Sequence, residues 1–551
     1  MSLQEALVLV VASAILTHLY LRNFEPEPKK AHLVLLGIIV VPCLDSVLLK
    51  KHVDSILIRL ALASSVYWSA LSLSIVLYRI SPWHPLAKFP GPRFLYTSKL
   101  LGAVLAKRGD GHLRIKKLHD EFGPIVRIGP NEISVVDVSA LSPILGADGM
   151  PKGPMWDGRR PPNGICNIEM LRDPVEHLRR RKVWNRAFTT NAVKDYEEVV
   201  VKRSLQLLDA LVSQSANGGS IDLTKWYSYF TFDIMGDMLF GGGFEFIRDG
   251  DRHGIMDLMT HTVVALSMIQ HLPWFVGIYE KLPITPAGLS KFREFAMKCV
   301  KDRRARGAVT KDVFHYIMNE DGVDKVPLTL PEVLSDAGIA VVAGSDTTSS
   351  TMTVLFYYLL SNPSAYKRLR EEINSAFPIH DGHPFDASKL SSLPYLNAVI
   401  NEALRLQPPV PVYLQRAPQA GSGGRWVASQ FIPEGTAVDV APYALHRDPR
   451  YFSPHPDEFI PERWLKPTED TETKFTTNML AFIPFSMGPS NCVGKNLAML
   501  EMRMVTALLV QQLDMKFGDG FNGEKWEENI EEYFVIKPPP LPIQISRTVS
   551  N

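Results

Sequence analysis

The 551-residue chain has little cysteine. Its four residues, Cys43, Cys166, Cys299 and Cys492, fit neither a zinc pattern nor a disulfide framework, and so few thiols suit a chain whose bulk faces a reducing compartment. Net charge is nearly absent: 59 basic against 58 acidic side chains leave +1, which selects neither nucleic acid nor a strongly acidic partner. No Gly/Ser linker, low-complexity tract or internal repeat divides the chain, so its length suits one large catalytic domain as well as several small ones. Its single Asn-x-Ser/Thr match, Asn362-Pro363-Ser364, is disqualified as a glycan acceptor by its proline.

One cysteine stands apart. Phe485-Ser-Met-Gly488-Pro-Ser-Asn-Cys492-Val-Gly494 sets a thiol between two glycines, and a helical pattern follows from Lys495. A helix N-terminus offers unpaired N–H groups and the positive end of a dipole, which stabilise a thiolate. Gly488 and Gly494 can take positive φ and let the backbone approach a flat ligand. An axial thiolate on haem iron favours O–O cleavage. The F-x-x-G-x-x-x-C-x-G spacing therefore reads as a haem-thiolate loop, against the alternative of a structural cysteine beside a turn; the other three cysteines lack this setting.

A second unusual stretch lies upstream. Thr329-Leu-Pro-Glu332 is a capping box that opens a long helix, and inside its apolar run stands Ala343-Gly344-Ser345-Asp346-Thr347-Thr348. Asp and Thr are poor helix formers there. One reading has the threonines bond back to the i−4 carbonyl and bend the helix. The other uses the same bend as a groove opposite an iron, with Thr347 donating to dioxygen and Asp346 feeding protons from solvent. Phe122–Val136 alternates like short strands, and Tyr533–Ile545 reads as a hairpin with an apolar tip.

Three apolar segments open the chain: Ala6–Leu21, Leu33–Leu49 with Pro42 and Asp45 inside, and Ile56–Leu77 with Arg59. A bilayer span needs about 20 apolar residues, with about 17 as the short limit, so residues 1–80 read as a membrane anchor of one to three helices. A secretory signal is the rival for the first segment, but no basic n-region or small-x-small cleavage site accompanies it. With a lumenal N-terminus and three spans, Arg22, Lys29 and Lys30 and then Arg79, Lys88 and Arg93 are cytoplasmic, whereas Lys50 and Lys51 fall on the wrong side. The prolines of residues 81–95 form a stiff hinge, and 96–551 is the catalytic domain. His271–Tyr279, with Trp274 and Tyr279, suits a membrane-dipping entrance or ordinary core packing.

Over roughly Pro82–Arg547 these motifs resemble the cytochrome P-450 superfamily, especially its membrane-bound fungal members. The resemblance implies a mainly helical fold with a smaller β region behind N-terminal transmembrane helices, and haem b ligated by Cys492 within the loop of Phe485, Gly488 and Gly494. The Ala-Gly-x-Asp-Thr-Thr pattern around Asp346 and Thr347 is matched without departure. The basic helix at Arg172–Phe188 would reach a haem propionate through His177 and Arg181, at positions the family usually gives to Trp and Arg. The rest of its basic face would meet an acidic electron donor or simply be solvated. Arg416 stands where a further propionate ligand is common, and Glu402, Arg405 and Arg463 would form a buried network behind the loop. Ser490 departs from the family, which usually has Arg or His there. It brings no charge, and charge-assisted bonds are about twice as strong, so Arg181 and Arg416 must carry more of the propionate binding.

The reading is a haem-thiolate monooxygenase on the endoplasmic reticulum, its catalytic domain facing the cytoplasm. NADPH-cytochrome P-450 reductase would supply electrons singly, and one oxygen atom would enter an apolar small molecule such as a terpenoid or other secondary metabolite; no nucleic acid is involved. The pocket, lined by the stretch after Pro151, by Ile339–Ala343, by Val410–Leu414 and by the tail, is apolar. Alternatives are a xenobiotic, fatty-acid or aromatic hydroxylase, a haem-thiolate isomerase that needs no O₂, and a membrane haem sensor or carrier. Asp346 and Thr347 argue against the isomerase, whose chemistry needs no proton relay.

Overall fold

The structure, a computed structural model, describes residues 1–23, 30–160, 165–216, 218–252, 254–279, 287–307, 311–467 and 473–548. Three apolar helices come first: α1 (Leu3–Asn23), α2 (Ala31–Asp45) and α3 (Ile56–Ile80). Pro42 does not end α2, which runs on through a 3-10 turn at Ser46–Leu49. Ala31–Leu49 is thereby a 19-residue stretch of mean hydropathy 2.3, and all three helices are long and apolar enough to cross a membrane. Several of their polar side chains pair across the bundle. Ser13 donates to Asp45, Tyr67 donates to Thr17 at 2.8 Å, and His18 Nδ1 meets Ser74 Oγ at 2.7 Å. Where water is absent, each such group needs an internal partner.

The proline-rich segment after α3 is docked on the globule. The carbonyl of Pro90 accepts from the Arg127 amide at 2.7 Å. Arg127 lies in β1 (Ile125–Gly129), antiparallel to β2 (Glu132–Val135), which runs parallel to β3 (Ala437–Val440). The short helix Pro273–Tyr279 packs against α2, so this segment faces the anchor as well as the globule, with Trp274 exposed.

Six helices frame the site: α4 (Pro174–Ala187), α5 (Leu223–Phe240), α6 (Ile255–Ile269), α7 (Leu330–Ser361), α8 (Pro394–Leu406) and α9 (Lys495–Gln512). The capping box closes at the head of α7, with the Thr329 amide donating to Glu332 at 2.7 Å. α5 lies along α7, and α7 also packs on α8 and α9. Buried side chains such as Phe230, Ile234 and Leu239 make α5 apolar nearly all round, the mark of a helix inside a core. The tail hairpin is tighter than the sequence suggests. β4 (Glu531–Tyr533) and β5 (Val535–Lys537) turn at Phe534, and Pro538–Pro540 then ends the pairing, since proline cannot donate to a ladder. Pro542–Arg547 pairs instead with Leu513–Phe517 and Ile221–Asp222.

Behind the cysteine loop lies a buried ionic network. Glu402 accepts from Arg405 Nε at 2.8 Å and Nη2 at 2.9 Å, and from Arg463 Nε, the Ile460 amide and Trp464 Nε1, each at 2.9 Å. Burial alone would raise this carboxyl; hydrogen bonds from Arg405, with the charges of Arg405 and Arg463, outweigh it and hold the group ionised. Arg405 also donates to the His446 carbonyl at 2.9 Å. His446 is held neutral, burial pushing it down to about 3, and its Nε2 accepts from the Ile483 amide at 3.0 Å. Removing the acid strands two buried guanidiniums. Glu402→Gln, which keeps the shape, should therefore cost about 3–5 kcal/mol, read as a fall in the thermal midpoint; an unchanged midpoint would mean that the charge contributes nothing.

Candidate active site

The cysteine loop is set by backbone contacts. Gly488 opens a 3-10 turn, the Asn491 amide donates to its carbonyl at 3.1 Å, and the Cys492 amide donates to Phe485 O at 2.9 Å. Gly488 has φ +70°, and a Cβ there would lie 2.0 Å from the Leu145 carbonyl, so both conformation and space require glycine. Gly494 departs from expectation. As N-cap of α9 it has φ −82° and ψ 6°, which any residue adopts. A Cβ on it would meet nothing closer than Phe188 at 3.8 Å and Cys492 Sγ at 4.0 Å, so no atom of the described chain demands glycine there.

Cys492 opens onto a cleft of about 440 Å³ with Arg181, Phe188 and Lys495 on its walls. The side chain is accessible to that space yet deep in the molecule. Burial pushes the thiol up, while the Gly494 and Lys495 amides and the charges of Arg181 and Lys495 pull it the other way. A bound metal cation would complete what the helix terminus begins, since a coordinating thiol is deprotonated outright. Lys495 sits over the Phe485 ring at 5.6 Å.

Arg181 ties α4 to this loop, donating to the Asn491 carbonyl and side chain at 2.6 Å each and to Asn185 at 2.7 Å. The other arginines of the basic face are paired within the chain. Arg179 pairs with Glu176 and Glu332, Arg180 with Glu176, Glu332 and the buried Asp336, and Arg186 with Asp321 and Asp324. Trp184 adds a hydrogen bond to Asp336 at 3.1 Å. Of this face Lys182 stays exposed. Arg179 and Arg180 bind α4 to α7, and Arg186 binds it to the Asp321–Asp324 segment.

A second group of cations is buried without anions. Arg416 bridges Lys152 and Val438 by backbone pairing, and neither Lys152 nor Arg416 makes an ion pair among the described residues. Burial, reinforced by Arg416, lowers Lys152 to about 7, and burial lowers Arg416 to about 10. His177 is buried and held down near 3, first by burial and then by Lys152, Arg181 and Arg416. Sequence reasoning named Arg416 and His177 of this group and missed Lys152. Its only signal is one cation in the apolar run Met150-Pro-Lys152-Gly-Pro-Met155-Trp156.

In α7, Ala343 is exposed although Val341 and Ser345 are buried, so this face borders internal open space. Asp346 has no side-chain partner among the described residues, and burial pushes its carboxyl up to about 7. Thr347 does not have the expected free donor: its hydroxyl donates to the Ala343 carbonyl at 2.7 Å. One hydroxyl carries one proton and two lone pairs, so what Thr347 retains is acceptor capacity. Together α7 offers an acid that exchanges protons near neutrality beside an alcohol that accepts a hydrogen bond.

The pattern of the "Cytochrome P-450" family matches residues 90–545. "Cytochrome P-450 67" of Uromyces fabae is 33% identical, over 98% of this chain and 98% of that protein. "Cytochrome P-450 monooxygenase FCK2" of Fusarium pseudograminearum is 33% identical over 86% of this chain and 83% of its own. "Trichothecene C-15 hydroxylase" of Fusarium sporotrichioides is 31% identical over 87% and 98%. A thiol at the head of α9, an acid–alcohol pair in α7 and similarity over nearly the full length place the chain in the cytochrome P-450 family of monooxygenases, whose members carry a thiolate-ligated haem iron.

Proposed function

We propose that this monooxygenase hydroxylates an apolar secondary metabolite, a terpenoid or similar compound, taking electrons from NADPH through cytochrome P-450 reductase. It does so at the endoplasmic reticulum, with α1–α3 as the anchor of residues 1–80, residues 81–95 as the hinge and 96–551 as the cytoplasmic catalytic domain. Relatives named as monooxygenases and a hydroxylase support the reaction, and the three apolar helices support the tether. The observation that carries the reading is the pair Asp346 and Thr347, since a rearrangement without O₂ has no use for a poised proton donor.

The residues fit haem. Cys492 supplies the thiolate, and Gly494 leaves a Cβ-sized gap beside it that the described chain does not need. Lys152, Arg416 and Arg181 are cations suited to two propionates, and the neutral His177 adds an N–H donor. Bound haem supplies the reductive activation of dioxygen, which a thiolate ligand promotes. The chain's part is proton delivery: Asp346, near 7, takes protons from solvent and passes them on, and Thr347 Oγ1 orients the path by accepting a hydrogen bond. Phe485, Gly488 and the Glu402–Arg405–Arg463 network fix the loop.

Cys492→Ala should abolish the thiolate-type carbon monoxide spectrum of the reduced protein, and a normal spectrum in that variant would refute the assignment. Thr347→Ala should keep haem but consume NADPH without equivalent product, with turnover down ~10²–10⁴-fold and peroxide released; unchanged coupling would leave Thr347 a purely helical residue. Arg416→Ala should give up haem faster to apomyoglobin than the parent, whereas Ser490→Arg should retain it as well or better. The opposite order would move the propionate anchor to the loop.

A further inference from the structure

The stretch after Pro151, expected from its sequence to be an apolar pocket wall, carries a buried cation. Arg159 follows the single helical turn Met155–Gly158 and is 6% exposed. Its Nη1 donates to Gln270 Oε1 at 2.9 Å, but Arg159 Nε has no acceptor, and neither does Gln270 Nε2 on a residue 1% exposed. No ion pair reaches Arg159 among the described residues. Burial lowers its pKa, with Glu169 and Glu532 pulling upward from beyond ion-pair distance. Glu532 already accepts from the Phe534 amide, and burial pushes it up to about 7. Glu169 has one buried carboxylate oxygen without a donor.

The arrangement is built. A Cβ on Gly158 would lie 2.8 Å from Gln270 Cα and 2.9 Å from the Ile269 carbonyl, so glycine lets this turn close against the end of α6 and sets Arg159 beside Gln270. The Phe534 ring lies 4.1 Å from the guanidinium carbon, and Trp156 stands edge-on to Phe534 at 5.7 Å. Phe534 sits at the hairpin tip with φ +80°, an outlier for a bulky residue of the kind that clusters at ligand clamps. Two of the segments expected to line the pocket, the stretch after Pro151 and the tail, thus meet at one stacked guanidinium. Stacking covers one face and Gln270 takes Nη1, which leaves the Nε edge for an anion. A buried cation without a partner, and donors without acceptors, both cost stability that a bidentate anion would restore.

We infer that Arg159 and Gln270 anchor a carboxylate on the substrate, with the apolar remainder against Phe534 and Trp156. This rests on the monooxygenase reading and narrows it: the substrate is an apolar carboxylic acid, oxidised at a carbon remote from the anchored end. The competing arrangement is a direct Arg159–Glu169 pair, which would leave no site for an acid.

The full-length, haem-loaded protein in nanodiscs would be titrated at neutral pH with dodecanoic acid and with methyl dodecanoate. Affinity would be read both from ligand-dependent thermal stabilisation and from the haem absorption shift. The acid should bind ~10-fold or more tightly than the ester, the scale of one charge-assisted contact. Arg159→Gln should bring the two affinities together by weakening the acid alone, and Arg159→Lys should keep part of the preference. Equal affinities in the parent protein, binding of neither probe, or a preference that survives Arg159→Gln would overturn the anchor. The parent comparison decides even if the variants fold poorly. A normal thiolate carbon monoxide spectrum in the same sample separates that failure from a failure of the monooxygenase reading.

Discussion

Glu402 carries a negative charge where water does not reach, and it holds that charge because five N–H contacts close around it. The consequences run outward in one line. Glu402 and Arg405 stand one turn apart on α8, and Arg463 and Trp464 bring the Ile460–Trp464 segment onto them. Arg405 reaches on to the carbonyl of His446 and, at 3.0 Å, to that of Glu458, and neutral His446 fixes the Ile483 amide at the entry to the cysteine loop. The position of Phe485, whose carbonyl receives the Cys492 amide, therefore depends on a carboxylate that performs no chemistry. No member is dispensable, because removing one leaves the others charged and dry.

Set against this network, other buried cations are conspicuous for their lack of anions. Arg180 has Asp336, Arg203 has Asp237 and Glu245, and Arg303 has Asp312 and Glu320. These pairs join helices and are complete within the chain. Among the described residues Lys152, Arg416 and Arg159 have no such pair. Burial first, and then the neighbouring charge of Arg416, lowers Lys152 to about 7, as expected of a buried cation without a counter-ion. By linkage, a dianionic group seated there would raise the Lys152 pKa again, and its affinity would fall as pH rises and that lysine deprotonates.

What was legible in the sequence was whatever lies in residue type at fixed short spacing. The cysteine loop, the Asp346–Thr347 pair and the capping box at Thr329 are of that kind, as is the helical character of α4. What α4 packs against is not. A run of His177, Arg179, Arg180, Arg181, Lys182 and Arg186 looks the same whether its partners are solvent or the acids of α7, so the pairs of Arg179 and Arg180 with Glu332 are not legible in it. Lys152 gains meaning only from the backbone bridge to Arg416, a contact between segments far apart in sequence. Thr347 shows a finer limit: sequence places a hydroxyl in the helix, but the Ala343 carbonyl takes its one proton, which turns an expected donor into an acceptor.

The same limit explains the anchor. Pro42 and Asp45 weaken the second apolar segment on a hydropathy scale, as Ser13, Thr17 and His18 interrupt the first. In the bundle these residues answer one another: Asp45 receives Ser13, Thr17 receives Tyr67, and His18 meets Ser74. In hydrocarbon, apolar surface gives helices little reason to associate, whereas interhelical hydrogen bonds of this kind contribute about 0.6–2 kcal/mol each. The interruptions are thus what make three spans one body. α3 then extends that body to the globule, with Arg79 donating to the Thr97 carbonyl, while Pro273–Tyr279 leans on α2 from the other side. Contacts at both places fix how the three apolar helices sit on the globule.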